Sequence, residues 1–211
     1  MKYSKIILAG VALLALGACA SPSVVSRAAE PGMSLLSEEA GALVAAPSYK
    51  VVDVRVEVPE SLTVSEANSL IPRADIVWRG DPYGDRRAQI AALMREAMLK
   101  GAASLEGERE VVLLVEVARF HALTERARYT VGGNHNIDFW ITVLDAETGE
   151  VVEPRRFLDT DLPGLGGMAA IAAEARGETQ KVRIEAFLAN VIREELGKPH
   201  LIPAPAAGPA A

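Results

Sequence analysis

Cysteine and histidine are scarce in this 211-residue sequence, which contains one cysteine and three histidines. With Cys19 as its single cysteine, the chain has no internal disulfide and no cluster of thiolates for a metal. None of the three histidines, His121, His135 and His200, has a second histidine or a carboxylate at a metal-ligand spacing. The sequence therefore predicts no metal site and no bound cofactor.

The sequence also has fewer positively than negatively charged residues, and it shows no catalytic motif. The chain has 22 Lys+Arg against 28 Asp+Glu, a net charge of −6, whereas nucleic-acid binding requires a positive surface. No serine lies in a G-x-S-x-G or S-x-x-K pattern, and Ser65 is interpreted as a helix cap. Asp81 and Asp85 flank a turn, where aspartate favours turn and cap geometry. We expect a protein that does not bind nucleic acid, has no catalytic residues and is not an enzyme.

The sequence lacks an apolar run of the ~20 residues that a membrane-spanning helix requires. Its main apolar segment, Ile6–Leu16, is shorter, follows Lys2 and Lys5, and precedes the small residues Gly17 and Ala18. A positive start, a short apolar centre and small residues at a cleavage site are typical of a secretory signal. We predict that residues 1–18 are a signal peptide.

The residues at the end of this signal, Leu16-Gly17-Ala18-Cys19, resemble the lipobox of bacterial lipoproteins. The resemblance implies a diacylglyceryl thioether on Cys19 and, in Gram-negative bacteria, a further acyl chain such as palmitate. Several acyl chains together give a stable membrane anchor. Ala20 and Ser21 follow the cysteine, which by the same resemblance favours the periplasmic face of the outer membrane. The alternative is an ordinary secretory signal in which Cys19 is incidental.

The remainder divides by composition. Residues 19–48 are rich in Ala, Ser, Pro and Gly, and are predicted to be the lipidated N-terminus and a flexible tether. For Met33–Val44, within this tether, a short helix or a partner-binding segment is the alternative. Residues 49–198 are long enough for one domain with its own core, and 199–211 are predicted to be a Pro/Ala-rich disordered tail.

Hydrophobic periodicity predicts the elements of the domain. Valines alternate with polar residues from Val52 to Val58, which indicates a strand with one buried face, and Pro59 ends it. Ser65–Leu70 suggests a short helical turn, and 74–78 a brief edge strand. Three further strands are predicted at Glu110–His121, around Ile137–Val143 and at Val151–Leu158; Pro154 favours an edge position for the last of these.

Two amphipathic helices complete the pattern. Asp85 is predicted to cap a helix that runs to Lys100, with Gly101 as its left-handed C-terminal residue. Glu178–Leu196 has a broad apolar face and predicts a second helix. We therefore expect an α+β fold, with a mainly antiparallel sheet of four to five strands and two amphipathic helices packed on one face.

The mature domain resembles, over most of its length, an uncharacterised family of small Gram-negative envelope lipoproteins. The resemblance rests on Ser65-Glu66-Ala67-Asn68, Asp75-Ile76-Val77-Trp78 and Gly84-Asp85-Arg86. It implies attachment to the cell envelope and no known activity. More broadly, the element order is similar to helix-on-sheet lipoproteins that assist envelope assembly and transport.

The sequence offers one speculative interaction patch and three hypotheses for function. Arg126, Arg128 and Tyr129 lie near a bend between strands and suit an anionic lipid head group or an acidic partner. The leading hypothesis is a non-enzymatic, lipid-anchored protein that binds an envelope protein partner. The second is a carrier or sensor of a lipid or other small apolar ligand between helices and sheet. The third is a cell-envelope hydrolase.

Overall fold

The computed structural model describes residues 42–44, 48–198 and 200–202. Cys19, the predicted signal peptide, most of the predicted tether and most of the predicted tail lie outside the described residues. The strands are β1 (Ala42–Val44), β2 (Tyr49–Glu57), β3 (Ile76–Val77), β4 (Arg109–His121), β5 (Gly133–Asp145), β6 (Val151–Leu158), β7 (Asp161–Gly164) and β8 (His200–Ile202). The helices are α1 (Arg86–Ala102), α2 (Glu125–Arg128), α3 (Met168–Ala175) and α4 (Gln180–Gly197).

The main sheet has six strands and is mostly antiparallel, so the α+β class is confirmed and the expected sheet of four to five mainly antiparallel strands roughly fits; the correction is that the sheet is mixed. Its order is β2-β4-β5-β6, with β3 also paired to β4 and β7 to β5. Both β2 and β3 run parallel to β4, whereas the pairs made by β5 are antiparallel. The parallel direction of β2 and β4 follows from the long connection that contains α1, because a crossover is needed to return the chain in the same direction.

Two predicted details of the first half of the domain are wrong. The alternation in β2 is broken by a bulge between Val51 and Asp53, which leaves Val52 exposed while Val54 is buried. No helical turn forms at Ser65–Leu70, because Val64 bridges Ile76 in an extended conformation. The hydroxyl of Ser65 accepts the backbone N–H of Ala67 at 3.2 Å and so stabilises a turn and not a helix end.

The packing of α1 and α4 on one face of the sheet is confirmed. Asp85 caps α1 as predicted, accepting the N–H of Ala88 at 3.1 Å. Gly101, however, lies within α1 and not after it. A Cβ at Gly101 would lie 2.1 Å from the carbonyl oxygen of Ala189 in α4, so this glycine permits close contact between the two helices.

The interface between helices and sheet is filled. Residues from both layers, including Met94, Leu113, Ile141 and Leu188, have no surface accessible to water. A cavity large enough for a ligand would leave accessible surface on the side chains that line it. These core residues therefore do not line the internal ligand space that the carrier hypothesis placed between helices and sheet.

Helices α2 and α3 were not predicted from the sequence. Helix α2 is a single turn, too short for a periodic pattern. Helix α3 consists mainly of alanine between glycines, and its exposed side carries Met168 and Ile171, so no polar face reveals it.

Strands β1 and β8 pair with each other and lie outside the predicted domain limits of 49 and 198. Among the described helices, none has the length and hydropathy to span a membrane.

Candidate functional site

An apolar groove lies at the end of the sheet where β4 finishes and β5 begins. We call it the tip groove; its volume is about 390 Å³. Its lining residues are Leu70, Ile71, Pro72, His121, Ala122, Leu123, Val131, Gly132, Gly133, Asn134 and Asn136. No aspartate, glutamate, lysine or arginine is among them. A concave, uncharged surface of this kind is suited to an apolar side chain or segment.

Two aliphatic side chains project unusually far at the tip groove. Ile71 is 82% exposed and Val131 is 75% exposed, and Leu70 beside them is also exposed. Isolated exposed apolar residues are common, but clusters at a concavity mark interaction surfaces. The grouping of these three residues is therefore the clearest sign of function on the described surface.

The loop that carries Leu70 and Ile71 is held in place by hydrogen bonds on both sides. The Thr124 hydroxyl donates to the Ser69 carbonyl oxygen at 2.7 Å. Nε2 of His121 donates to the carbonyl oxygen of Pro72 at 3.0 Å. Because the backbone is fixed before and after the apolar pair, little conformational entropy is lost when a partner binds there.

The residues that carry the family resemblance position this loop. The Glu66 carboxylate receives two hydrogen bonds from the largely buried Arg86, Nε to Oε1 at 2.6 Å and Nη2 to Oε2 at 2.9 Å. These bonds hold the pKa of Glu66 below its usual range, against the opposing effect of burial. Two residues further on, Asn68 Oδ1 accepts the backbone N–H of Arg126 at 2.8 Å. The motif thus fastens one side of the tip groove to α1 and α2.

The tip groove and the start of β2 lie at opposite ends of β4. At the first end, the N–H of Arg109 donates to the carbonyl oxygen of Ser48, the residue before β2. At the other end, His121 lines the groove. A 13-residue strand is about 40 Å long at about 3.3 Å per residue. The groove is therefore distant from the point where the chain enters β2.

The structure brings two of the three predicted patch residues together. Arg128 Nε lies 3.1 Å from a Glu174 oxygen, and the Tyr129 hydroxyl donates to the other Glu174 oxygen at 2.9 Å. The Arg128 guanidinium also lies over the Tyr129 ring, 4.9 Å from its centre. Arg126 is exposed. The acidic group that Arg128 and Tyr129 contact is thus supplied by α3 of the same chain.

Histidines 121 and 135 hydrogen-bond to the backbone. His135 lies within β5 and is almost fully buried. Its Nδ1 accepts the N–H of Leu123 at 3.3 Å. Burial, with smaller contributions from Arg183 and Arg128, lowers the pKa of His135 to about 4, so the ring is neutral near pH 7. In the neutral ring Nε2 then carries the proton.

The carboxylates singled out in the sequence also have structural contacts. Asp81 accepts hydrogen bonds from the Trp78 indole at 2.8 Å and from Lys181 at 2.7 Å. Burial raises the pKa of Asp81, but the bonds from Lys181 and Trp78 outweigh it, and the pKa lies below its usual value. Among the described residues, no group of three or more potential metal ligands converges.

The two tryptophans have different environments. Trp78 is fully buried against Phe120, with ring centres 5.5 Å apart, as expected for a core residue. Trp140 instead packs on Phe157, and the guanidinium of Arg155 lies 3.9 Å from the Trp140 ring centre. Trp140 therefore belongs to a partly exposed cluster on the sheet and not to the core.

Fold and site together define a small α+β domain with an apolar groove at one end of its sheet. The sequence from residue 49 to residue 209 matches the family described as a family of unknown function, DUF6778. The chain belongs to this family. No protein with a curated function matches its sequence.

Solved structures with a similar arrangement come from several bacteria. A candidate lipoprotein of Caulobacter crescentus is 17% identical, with 75% of this chain and 92% of that chain covered and a TM-score of 0.34. A DUF330 protein of Xanthomonas campestris is 14% identical, with coverage of 79% and 90% and a TM-score of 0.40. PelC of Paraburkholderia phytofirmans, which forms a dodecamer, is 12% identical, with coverage of 76% and 94% and a TM-score of 0.32. Similarities of this size do not assign a function to the chain.

Proposed function

We propose that this protein is a lipid-anchored, non-enzymatic accessory protein of the cell envelope that binds another protein through the tip groove. Cys19 carries the acyl chains, the outer membrane holds them, and the domain lies on the periplasmic side. The partner inserts an uncharged, apolar segment into the groove. Its contribution is to envelope assembly or transport.

The observation that carries this proposal is the fixed display of Leu70 and Ile71 beside Val131. Exposing aliphatic side chains to water is unfavourable by roughly 25 cal/mol per Å² of apolar surface. A loop that is hydrogen-bonded at Ser69 and Pro72 has no freedom to fold these side chains inward. A partner that covers them recovers this hydrophobic free energy, which supports a binding function.

The shape and charge of the groove favour a protein segment as the occupant. The surface is concave, and its lining contains no aspartate, glutamate, lysine or arginine. A flat lipid surface would leave the concavity unfilled, and an acidic or basic peptide would find no opposite charge there. An apolar segment of a protein both fills the groove and needs no counter-charge.

The polar side chains and the core support a role other than catalysis or internal transport. Asp81 is engaged by Lys181 and Trp78, and both His121 and His135 hydrogen-bond to backbone groups. The filled core is consistent with binding at the surface. A carrier function would have to place its ligand in the outer groove.

Photo-crosslinking in living cells tests the proposal. A photoreactive amino acid at Ile71 is expected to give a discrete crosslinked protein band. The matched control is Val151, which is 61% exposed and lies at the other end of the sheet, in β6. The same reactive group there is expected to give no such band. Identical bands from the two positions, or crosslinks from Ile71 to lipid alone, would contradict the proposal.

A further inference from the structure

A second concavity, distinct from the tip groove, lies beneath α3. It is bounded by Arg128, His135, Glu174, Glu178, Gln180 and Arg183, together with Leu123, Leu165, Ala170 and Ala173. The space open to the centre of a water molecule is about 10 Å³, which is room for about one water. We call it the α3 pocket. In contrast to the tip groove, its lining includes charged side chains.

Gln180 is the unusual residue of the α3 pocket. It is only 4% exposed, yet among the described residues neither its Nε2 nor its Oε1 has a hydrogen-bond partner. Burying an amide without partners costs about 1–3 kcal/mol, so such groups in stable structures are completed by a bound water or by a ligand. One side of the amide donates and the other accepts. A ligand that offers both an acceptor and a donor would satisfy it.

The remaining polar groups of the α3 pocket are mainly hydrogen-bond donors. Arg128 and Arg183 each present a guanidinium, and His135 is neutral with its proton on Nε2. Donors of this kind select an oxygen that carries negative charge. One such oxygen is already present, because the Glu174 carboxylate of α3 contacts Arg128 and Tyr129.

Helix α3 is weakly attached to the rest of the domain. Only Ala170 and Ala173 are buried among its eight residues, and each contributes a single methyl group. Gly167 before the helix and Gly177 after it have φ values of 54° and 81°. Glycine adopts such conformations without steric cost, so these two residues are the points at which the backbone turns before and after α3. The Glu174 contacts are the side-chain bonds that close α3 over the pocket.

We propose that the α3 pocket binds a small molecule with a carboxylate next to a hydrogen-bond donor, such as a hydroxy acid, and that Glu174 occupies the carboxylate position in the closed form. The carboxylate of the ligand replaces that of Glu174 on Arg128. The neighbouring donor of the ligand bonds to Oε1 of Gln180, and α3 moves outward at its flanking glycines. This binding is independent of the partner at the tip groove, and either can fail without the other.

Titration calorimetry on the purified full-length protein in detergent tests this proposal, with glycolate and acetate as probes and sodium chloride at equal ionic strength as the blank. Glycolate is expected to bind about fivefold more tightly than acetate, which corresponds to one additional hydrogen bond of about 1 kcal/mol. Glu174→Gln removes the competing carboxylate and is expected to raise glycolate affinity about tenfold. Gln180→Leu is expected to abolish the preference for glycolate.

Glu194→Gln is the matched control, because it also removes one carboxylate but is exposed on α4 and lies outside the lining of the α3 pocket. It is expected to leave glycolate affinity unchanged. Hydrogen exchange gives a second readout: glycolate is expected to accelerate exchange at the amides of Met168–Ala175. Equal effects of Glu174→Gln and Glu194→Gln would overturn the proposal, as would a chloride response equal to that of glycolate or no binding of either acid.

Discussion

The hydroxyl of Tyr49 donates a hydrogen bond of 2.7 Å to Oε1 of Glu153, 104 residues away in the chain. Tyr49 begins β2 and Glu153 lies in β6, so the bond joins the first and last strands in the order β2-β4-β5-β6. Both side chains are buried, and Arg156 forms an ion pair with the same carboxylate. A buried carboxylate is stable only with such partners.

Tyr49→Phe removes this donor and keeps the ring. We expect the free energy of unfolding to fall by about 1–3 kcal/mol, because the carboxylate of Glu153 stays buried with one bond fewer. Urea denaturation followed by circular dichroism measures the change. Tyr83→Phe is the control, since Tyr83 is exposed, and it should leave the unfolding midpoint where it is in the wild type.

The same bond predicts a loss of stability at high pH. Burial, followed by the hydrogen bond to Glu153, raises the pKa of Tyr49 well above its ordinary value of 10.0. The folded state therefore keeps the proton at pH values where the unfolded state loses it. Stability from this residue is complete below about pH 10 and declines above it. Tyr49→Phe should weaken the dependence of unfolding on pH in that range, and an unaltered dependence would refute this assignment.

His135 predicts a separate loss of stability at mildly acidic pH. Its pKa is about 4 in the folded protein and 6.5 ordinarily, so the unfolded chain binds a proton that the folded chain excludes. Stability is complete above about pH 6.5 and falls as the pH decreases toward 4. Between pH 7 and pH 5 we expect a loss of about 2 kcal/mol, at 1.36 kcal/mol per pH unit.

Urea unfolding at the two pH values measures this difference. His135→Asn retains an acceptor for the N–H of Leu123 but does not titrate, so its stability should be nearly the same at pH 7 and pH 5. A loss in the variant as large as in the wild type would assign the effect to other groups.

Replacing Gly101 is expected to cause a steric clash where α1 contacts α4. Alanine favours a helix over glycine by about 1 kcal/mol, so without contacts Gly101→Ala would stabilise α1. The added Cβ instead meets the backbone of Ala189, and we expect a net loss of about 1–3 kcal/mol. Gly197→Ala, at the end of α4 with nothing within 4 Å of its Cβ, is the matched control and should be neutral or slightly stabilising. A stabilised Gly101→Ala variant would contradict the close contact.

Cys19 predicts acylation. Metabolic labelling with a radioactive or clickable fatty acid should mark the protein in its native bacterium, and Cys19→Ala should carry no label. Ser21→Ala, two residues away, should be labelled like the wild type. Label that persists in Cys19→Ala would show that the anchor is elsewhere.

Local patterns were sufficient to predict the strongly periodic elements. The cap at Asp85, the buried strand β4 and the apolar face of α4 follow from periods of 2 or 3.6 residues and from cap chemistry. The bulge at Val51 and the position of Gly101 depend on pairing with distant segments, which no local pattern records. Parallel pairing of β2 with β4 was likewise not predicted, although the helix between them was the available signal.

The site was harder to predict than the fold. Leu70 and Ile71 precede a proline in a loop, and the sequence does not show that hydrogen bonds from Thr124 and His121 hold them outward. The buried Gln180 was hidden by its place in the first turn of α4, where a polar residue is ordinary. Arg128 and Tyr129 were found from their residue types alone, but their partner Glu174 lies in a helix that the sequence did not reveal.

The most direct test of the account is capture of the partner in living cells by full-length protein that carries a single substitution either at the tip groove or away from it. After in vivo crosslinking, the wild type and Val151→Ser should recover the same envelope protein, and Ile71→Ser should recover at least tenfold less of it while folding normally. Equal recovery by Ile71→Ser would contradict a binding function for the tip groove.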